Sequence, residues 1–334
     1  MIAVKKEGVI LKKTDLSFEN ESVLNPAIIQ NEDFIHVFYR AVHIGNYSSI
    51  GYCKLNDPLT VITRNNSPIL SPEFDYESHG MEDPRIVKID GLFYLTYIAF
   101  DGGNALGALA TSTDLVKFER LGIIVPKITY NDFDRYTKNN ATLNEKYLRY
   151  NRGANLLADK DVVFFPQKID GKLVFLHRIK PDIQIVTVNS IEELTDEFWV
   201  NYFLHFKKHI FLIPKYVHEV SYIGSGCPPV ETEHGWLIIY HGVKDMIKGY
   251  EYSCCAALMD LKDPKIEIAR LPYPLFKPEL DYELNGDVDD VCFPTGTVII
   301  GDTLYIYYGA ADELIACASV SLSGLLTELL LNKI

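Results

Sequence analysis

No run of about 18 apolar residues occurs in this chain of 334, so nothing in it reads as a membrane-spanning helix. The amino terminus, Met1-Ile2-Ala3-Val4-Lys5-Lys6-Glu7-Gly8, lacks the apolar core of a secretory signal. As it stands the chain reads as soluble and cytoplasmic; a removed signal would make it periplasmic. Clustered positive charge is also missing. The net charge is −13 with no Lys/Arg run, which argues against nucleic acid or an anionic membrane as partner. The six cysteines form no CxxC pair and no Cys/His metal spacing. They read as buried reduced thiols, with no metal and no cofactor. The stretch Ile223-Gly224-Ser225-Gly226-Cys227 has no following Lys-Ser/Thr, so it is read as a tight turn rather than a nucleotide loop. No linker or low-complexity tract divides the chain, which leaves residues 1–334 as one domain.

What is present is aromatic and repetitive. Aromatics make up 12% of the residues, with 21 Tyr and 17 Phe, a bias that suits strands. A polar turn followed by an alternating aromatic and aliphatic run recurs at residues 34–39, 92–97, 173–177, 236–240 and 304–308. A proline precedes each copy, at 26, 84, 166, 229 and 294, with spacings of 58, 82, 63 and 65 residues. A third apolar run follows each copy, at 50–55, 107–112, 184–189, 254–259 and 316–321. Three strands per copy, plus a weaker fourth at the edge, predict an all-β fold: a five-bladed β-propeller. Residues near 123–160 and 191–220 read as long rim excursions, with a helix over 191–199.

In such a fold the prolines mark the starts of the innermost strands, and those starts meet at one mouth. Asn25, Glu82, Asp83, Arg85, Lys160, Asp161 and Glu231 are then brought together, with Arg40, Arg178, His241 and Asp312 at the ends of the paired strands. Asp83 lies in Gly80-Met81-Glu82-Asp83-Pro84-Arg85. The proline holds it extended, and nearby carboxylates favour a raised pKa, as a general acid requires. The plainer reading of the same residues is a salt bridge from Asp83 to Arg85 that ties a strand end. Glu231, after Pro228-Pro229, is the second carboxylate that glycoside cleavage needs, or else a solvated strand-end residue. His177 and His241 read as hydrogen-bonded structural residues.

Together with Phe165-Pro166-Gln167, Leu176-His177-Arg178, Ile223-Gly224-Ser225-Gly226, Tyr240-His241-Gly242 and Tyr307-Tyr308-Gly309-Ala310-Ala311-Asp312, the Asp83 motif resembles glycoside hydrolase family 130. That resemblance implies five-bladed propellers acting on β-mannosides, either phosphorylases or inverting hydrolases. It implies Asp83 as catalytic acid, in phosphorylases able to act through a sugar hydroxyl, and Asn25, Arg40 and Asp312 around the mannosyl unit. It also implies basic groups for phosphate where this chain has Glu231, and Arg-Asn where it has Lys160-Asp161. A carboxylate facing phosphate is costly, so the sign change favours water as nucleophile. The expectation is an inverting exo-β-mannosidase for β-1,2-linked mannooligosaccharides, with Asp83 as acid and Glu231 as base. The alternatives are a β-mannoside phosphorylase releasing mannose 1-phosphate and a non-catalytic sugar-binding propeller. Oligomeric state is left open.

Overall fold

Alternation of large apolar and polar residues builds strands throughout, and the strands group into consecutive four-stranded antiparallel units. The computed structural model describes residues 2–140, 143–149 and 156–334. The first unit is β2 (Ser22–Asn31), β3 (Phe34–His43), β4 (Tyr47–Asp57) and β5 (Thr60–Arg64). The second is β6 (Gly80–Ile89), β7 (Leu92–Phe100), β8 (Ala105–Ser112) and β9 (Glu119–Ile123). A single parallel bridge, Ser48 to Gly80, joins these two into one sheet. The third holds β10 (Lys160–Phe164), β11 (Leu173–Arg178), β12 (Ile183–Val188) and β13 (Ile210–Leu212). In the fourth, the innermost strand is broken into β14 (Tyr222–Ser225) and β15 (Val230–Thr232). Both pieces pair with β16 (Gly235–Asp245), which leads to β17 (Tyr250–Met259) and β18 (Glu267–Arg270). The last unit is β19 (Cys292–Ile300), β20 (Thr303–Ala310) and β21 (Leu314–Ser321), and β1 (Lys5–Leu11) from the amino terminus supplies its outer strand.

The repeated aromatic runs are the second strands of these units, and their last residues have one shared job. Tyr39 donates to Glu19 at 2.7 Å, and Arg64 pairs with the same carboxylate at 2.8 Å. Tyr97, Glu77 and Arg120 repeat the arrangement, as do Tyr240, Glu219 and Arg270, and Tyr308, Glu283 and Lys6. All four glutamates are fully buried. In each case the acid precedes the first strand, the tyrosine lies within the second strand and the cation lies on the outermost strand, so one carboxylate ties three parts of a unit together. The third unit substitutes Asp159, His177 and Tyr202. His177 Nδ1 lies 2.7 Å from Asp159, and its Nε2 lies 2.8 Å from the Tyr202 hydroxyl.

Several expectations are corrected here. Pro26, Pro84 and Pro294 do not start strands; they lie inside β2, β6 and β19, where register shifts mark β-bulges. Pro166 follows β10, and Pro229 precedes only the short β15. A bulge tolerates proline because the ladder is already interrupted there. Over 191–220 the helix is α3, Asp196–Leu204, starting later than 191 because Thr195 caps it through the Phe198 N–H. The 123–160 excursion carries α1 (Tyr130–Thr137) and α2 (Lys146–Arg149), and positions 141, 142 and 150–155 lie outside the described residues. The remaining helices are α4 (Asp281–Leu284) and α5 (Leu322–Leu331). All six cysteines are buried free thiols. Among the described residues, no helix is long and apolar enough to cross a membrane.

Candidate active site

The bulges aim side chains. Asn25 in β2, Asp83 in β6 and Asp161 in β10 each take a left-handed backbone, with φ of 49°, 48° and 54°. Asn and Asp tolerate this conformation better than other residues with a Cβ, and a bulge turns the side chain out of the sheet plane. Asp312, φ 51°, does the same in the turn after β20. These residues meet in a cavity of about 380 Å³ that is lined also by Arg40, Lys160, Arg178, Lys180, Tyr222 and Phe293. Tyr130 and Tyr147 reach it from the 123–160 excursion, and Val288 and Val291 from the segment before β19.

One side of the cavity is organised around Asp83. Asn25 Nδ2 donates to Asp83 Oδ1 at 2.7 Å. Arg40 pairs with Glu82 at 2.9 Å and stands 3.8 Å from Asp83. Gly309 makes room for this arrangement, since a Cβ there would lie 2.0 Å from Asn25 Oδ1. The Asp312 carboxyl is pushed up to about 6 by burial, and then by the neighbouring negative charge of Asp83, against the pull of Arg40.

The other side is cationic. Arg178 Nη1 holds Asp161 at 2.9 Å and lies 3.2 Å from His241 Nε2. Gly224 lets these groups close up, because a Cβ there would meet both the His241 ring and Asp161 within 2.5 Å. His241 is fully buried and kept neutral: burial, followed by Arg178 and Arg85, holds its pKa well below the usual value. Lys180 Nζ sits 3.8 Å above the Tyr222 ring. Its pKa falls to about 7, first through burial and then through repulsion from Arg178 and Lys160. Lys160, Arg178 and Lys180 thus line the same cavity as Asp83.

Of the residues named from the sequence, Asn25, Arg40, Asp83, Lys160, Asp161, Arg178 and Asp312 line the cavity. Glu82, Arg85 and His241 do not, but they lie against its wall through Arg40, Asp83 and Arg178. Arg85 makes no side-chain salt bridge to Asp83; its Nη1 donates to the Asp83 carbonyl and its Nε to the Gly226 carbonyl, both at 2.7 Å. Asp83 therefore faces the cavity with its carboxylate and holds Arg85 with its backbone. Glu231 is elsewhere. It is exposed, accepts a 2.9 Å bond from Gln167, and pairs with Trp236. His241 lies five residues further along the same strand. At about 3.3 Å per residue that is roughly 17 Å along the strand, and Glu231 does not line the cavity that Asp83 lines. The sequence reading also missed Lys180, Tyr222 and Phe293. A signal existed for Lys180, two positions after Arg178 at a strand end, where side chains on one face recur every second residue.

Among the described residues, one group, His218, Glu219 and Cys255, has the composition of a metal site. The Glu219 oxygens are already committed to Tyr240, Arg270 and the N–H groups of Lys215 and Tyr216, so the cluster is structural.

A profile of glycoside hydrolase family 130, described as beta-1,4-mannooligosaccharide phosphorylase, matches residues 7–329. The chain is 32% identical to the 1,2-beta-oligomannan phosphorylase of Thermoanaerobacter sp. (strain X514), over 97% of this chain and 99% of that protein. It is 34% identical to the beta-1,2-mannobiose phosphorylase of the same organism, over 91% of each. Its fold matches the beta-1,2-mannobiose phosphorylase of Listeria innocua in complex with beta-1,2-mannobiose, with a TM-score of 0.76 at 23% identity, over 99% of this chain and 100% of that one. The chain belongs to glycoside hydrolase family 130.

Proposed function

We propose that this protein is a β-mannoside phosphorylase acting on β-1,2-linked mannosides, on a five-bladed propeller whose blades are the five units described above. One observation carries the choice of phosphate over water: Lys160, Arg178 and Lys180 crowd into the same cavity as Asp83, while Glu231 stands outside it. The charge argument for hydrolysis rested on Glu231 and Asp161 facing the nucleophile. Glu231 does not, and the charge of Asp161 is taken up by Arg178. The relatives named as β-1,2-mannoside phosphorylases, which align over nearly the whole chain, support both the reaction and the linkage.

In this reading Asn25, Arg40 and Asp312 hold the mannosyl unit. Asp83 supplies the proton that the glycosidic oxygen takes as its bond to C1 breaks, directly or through a sugar hydroxyl. Phosphate, held by Lys160, Arg178 and Lys180, attacks C1 from the opposite face and forms the new C1–O bond. Inversion turns the β-mannoside into α-mannose 1-phosphate and leaves the shortened sugar behind. Asp83 regains a proton from the attacking phosphate or from solvent. The test is product analysis on β-1,2-mannobiose with and without phosphate. Mannose 1-phosphate formed only in the presence of phosphate is expected; free mannose released at the same rate without phosphate overturns the reading.

A further inference from the structure

A second cavity, about 610 Å³ and larger than the first, lies between the third and fourth units. Its lining comes from the turn at Asp170 and Lys172, the outer face of β11 and β12, α3, the turn at Lys208 and His209, and the β17–β18 loop at 262–265. The Asp170 turn enters β11 at the end opposite Arg178, so this groove is separate from the site around Asp83.

Its charge runs against the composition of the chain. Acids outnumber bases 45 to 32 overall, yet the groove gathers Lys172, Lys208, Lys262 and Lys265 against only Asp170 and Asp263. Asp263 is partly spent within its own loop, where its carboxylate accepts the Lys265 N–H at 3.2 Å. The four lysines sit on three separate connections, so no single helix or strand periodicity accounts for their convergence. The floor is aromatic. The His209 and Tyr202 rings stack at 3.9 Å with a 21° interplanar angle, and Phe198 lies beside Tyr202 at 6.1 Å. Burial, then repulsion from His177 and Lys265, lowers the His209 pKa to about 4, so this ring adds a neutral surface rather than a fifth charge.

Converging lysines over stacked rings suit a ligand with an anionic end and a flat, partly apolar body. We propose that this groove is a second ligand site, taking a phosphate ester of a sugar-sized ring. The class follows from the groove itself. Only the first choice of probe, α-mannose 1-phosphate, rests on the proposed reaction, which would make it.

The test is a titration of the full-length protein, followed by NMR of its histidine rings. His209 reports on the groove and His241 on the site around Asp83. Mannose 1-phosphate is expected to shift His209, and mannose alone is not. The exposed pair Lys208→Glu and Lys265→Glu should weaken the His209 response by at least about tenfold, since two attractive charges become repulsive, with the turnover of β-mannoside unchanged. A His209 signal that stays still in the wild type, or that moves equally in the double variant or with mannose alone, overturns the proposal. His241 moving without His209 defeats the groove and leaves the phosphorylase reading standing. His209 moving in a protein without phosphate-dependent turnover supports the groove and defeats that reading.

Discussion

Asn25 and Asp83 face each other across 58 residues of chain, the amide of one donating to the carboxylate of the other at 2.7 Å. Both precede a proline, both sit in a β-bulge and both have φ near +50°. The same local device in two successive units thus presents a donor to an acid. That bond favours one orientation of the Asp83 carboxyl, with its second oxygen left for substrate. Asp83→Asn keeps the shape and removes the proton donor, so kcat should fall by about 10²–10⁴ with an unchanged melting temperature. Asn25→Ala should cost less, about 10- to 100-fold in kcat/KM, because the acid remains but is no longer held. Both are read from mannose 1-phosphate release. Wild-type rates in Asp83→Asn would remove it as the acid.

The Lys180 ammonium is disfavoured by burial and by repulsion from Arg178 and Lys160. With a pKa near 7, it is charged on the acid side and neutral on the alkaline side. Phosphate affinity should therefore weaken as the pH climbs past about 7, with a rising KM for phosphate. Lys180→Arg remains protonated throughout, and its KM should be flatter over the same range. Lys180→Gln should raise the KM for phosphate more than the KM for mannoside. A variant that raises both equally would point to a collapsed cavity instead.

Glu231→Gln should change turnover little. An exposed side chain away from special features alters stability or binding by about 0.5 kcal/mol at most, a factor of about two in rate. A loss of several orders of magnitude would mean that Glu231 acts in the reaction after all.

That reversal shows what was legible in the sequence. The aromatic runs are readable because alternation in a strand is a local property, and they lead to Arg40 within β3, Arg178 at the end of β11 and Asp312 in the turn after β20. Pro228-Pro229 reads as the start of an inner strand, which puts Glu231 at the mouth. That strand in fact begins at Tyr222 and breaks between Ser225 and Val230, so Glu231 belongs to its far piece. Nothing local distinguishes a strand start from a strand interruption when both carry proline. The buried glutamates were missed for a different reason. Glu19, Glu77, Glu219 and Glu283 look like surface residues until the tyrosine 20 to 25 positions later is seen to point at them.

Those glutamates carry a prediction about stability. Glu219 and Arg270 are both fully buried and paired. Neutralising Glu219 leaves Arg270 with only Glu267, at 2.6 Å, as a carboxylate partner, and weakens the buried bonds from Tyr240 and from the Lys215 and Tyr216 N–H groups, a loss of about 1–3 kcal/mol. Glu219→Gln should lower the denaturant midpoint accordingly, while kcat measured well below the new melting temperature is retained, since the pair is not part of the cavity. A stability loss under about 1 kcal/mol, the worth of an exposed pair, would show that the triad contributes little.

Asp312 makes the opposite prediction. Its folded pKa of about 6 lies above the ordinary value of 3.8, so the folded chain holds this proton more tightly than the unfolded chain does. The resulting stability is fully present below about pH 3.8 and is lost as the pH rises through about 6. At neutral pH a charged Asp312 is therefore a burden on the fold. Asp312→Asn should raise stability at pH 7 by roughly 1–3 kcal/mol, and the gain should shrink as the pH drops below 6. The same variant should bind mannoside more weakly. Thermal melts at several pH values, paired with the KM for mannoside, test both halves. A gain in stability that is independent of pH would detach it from titration of this carboxyl.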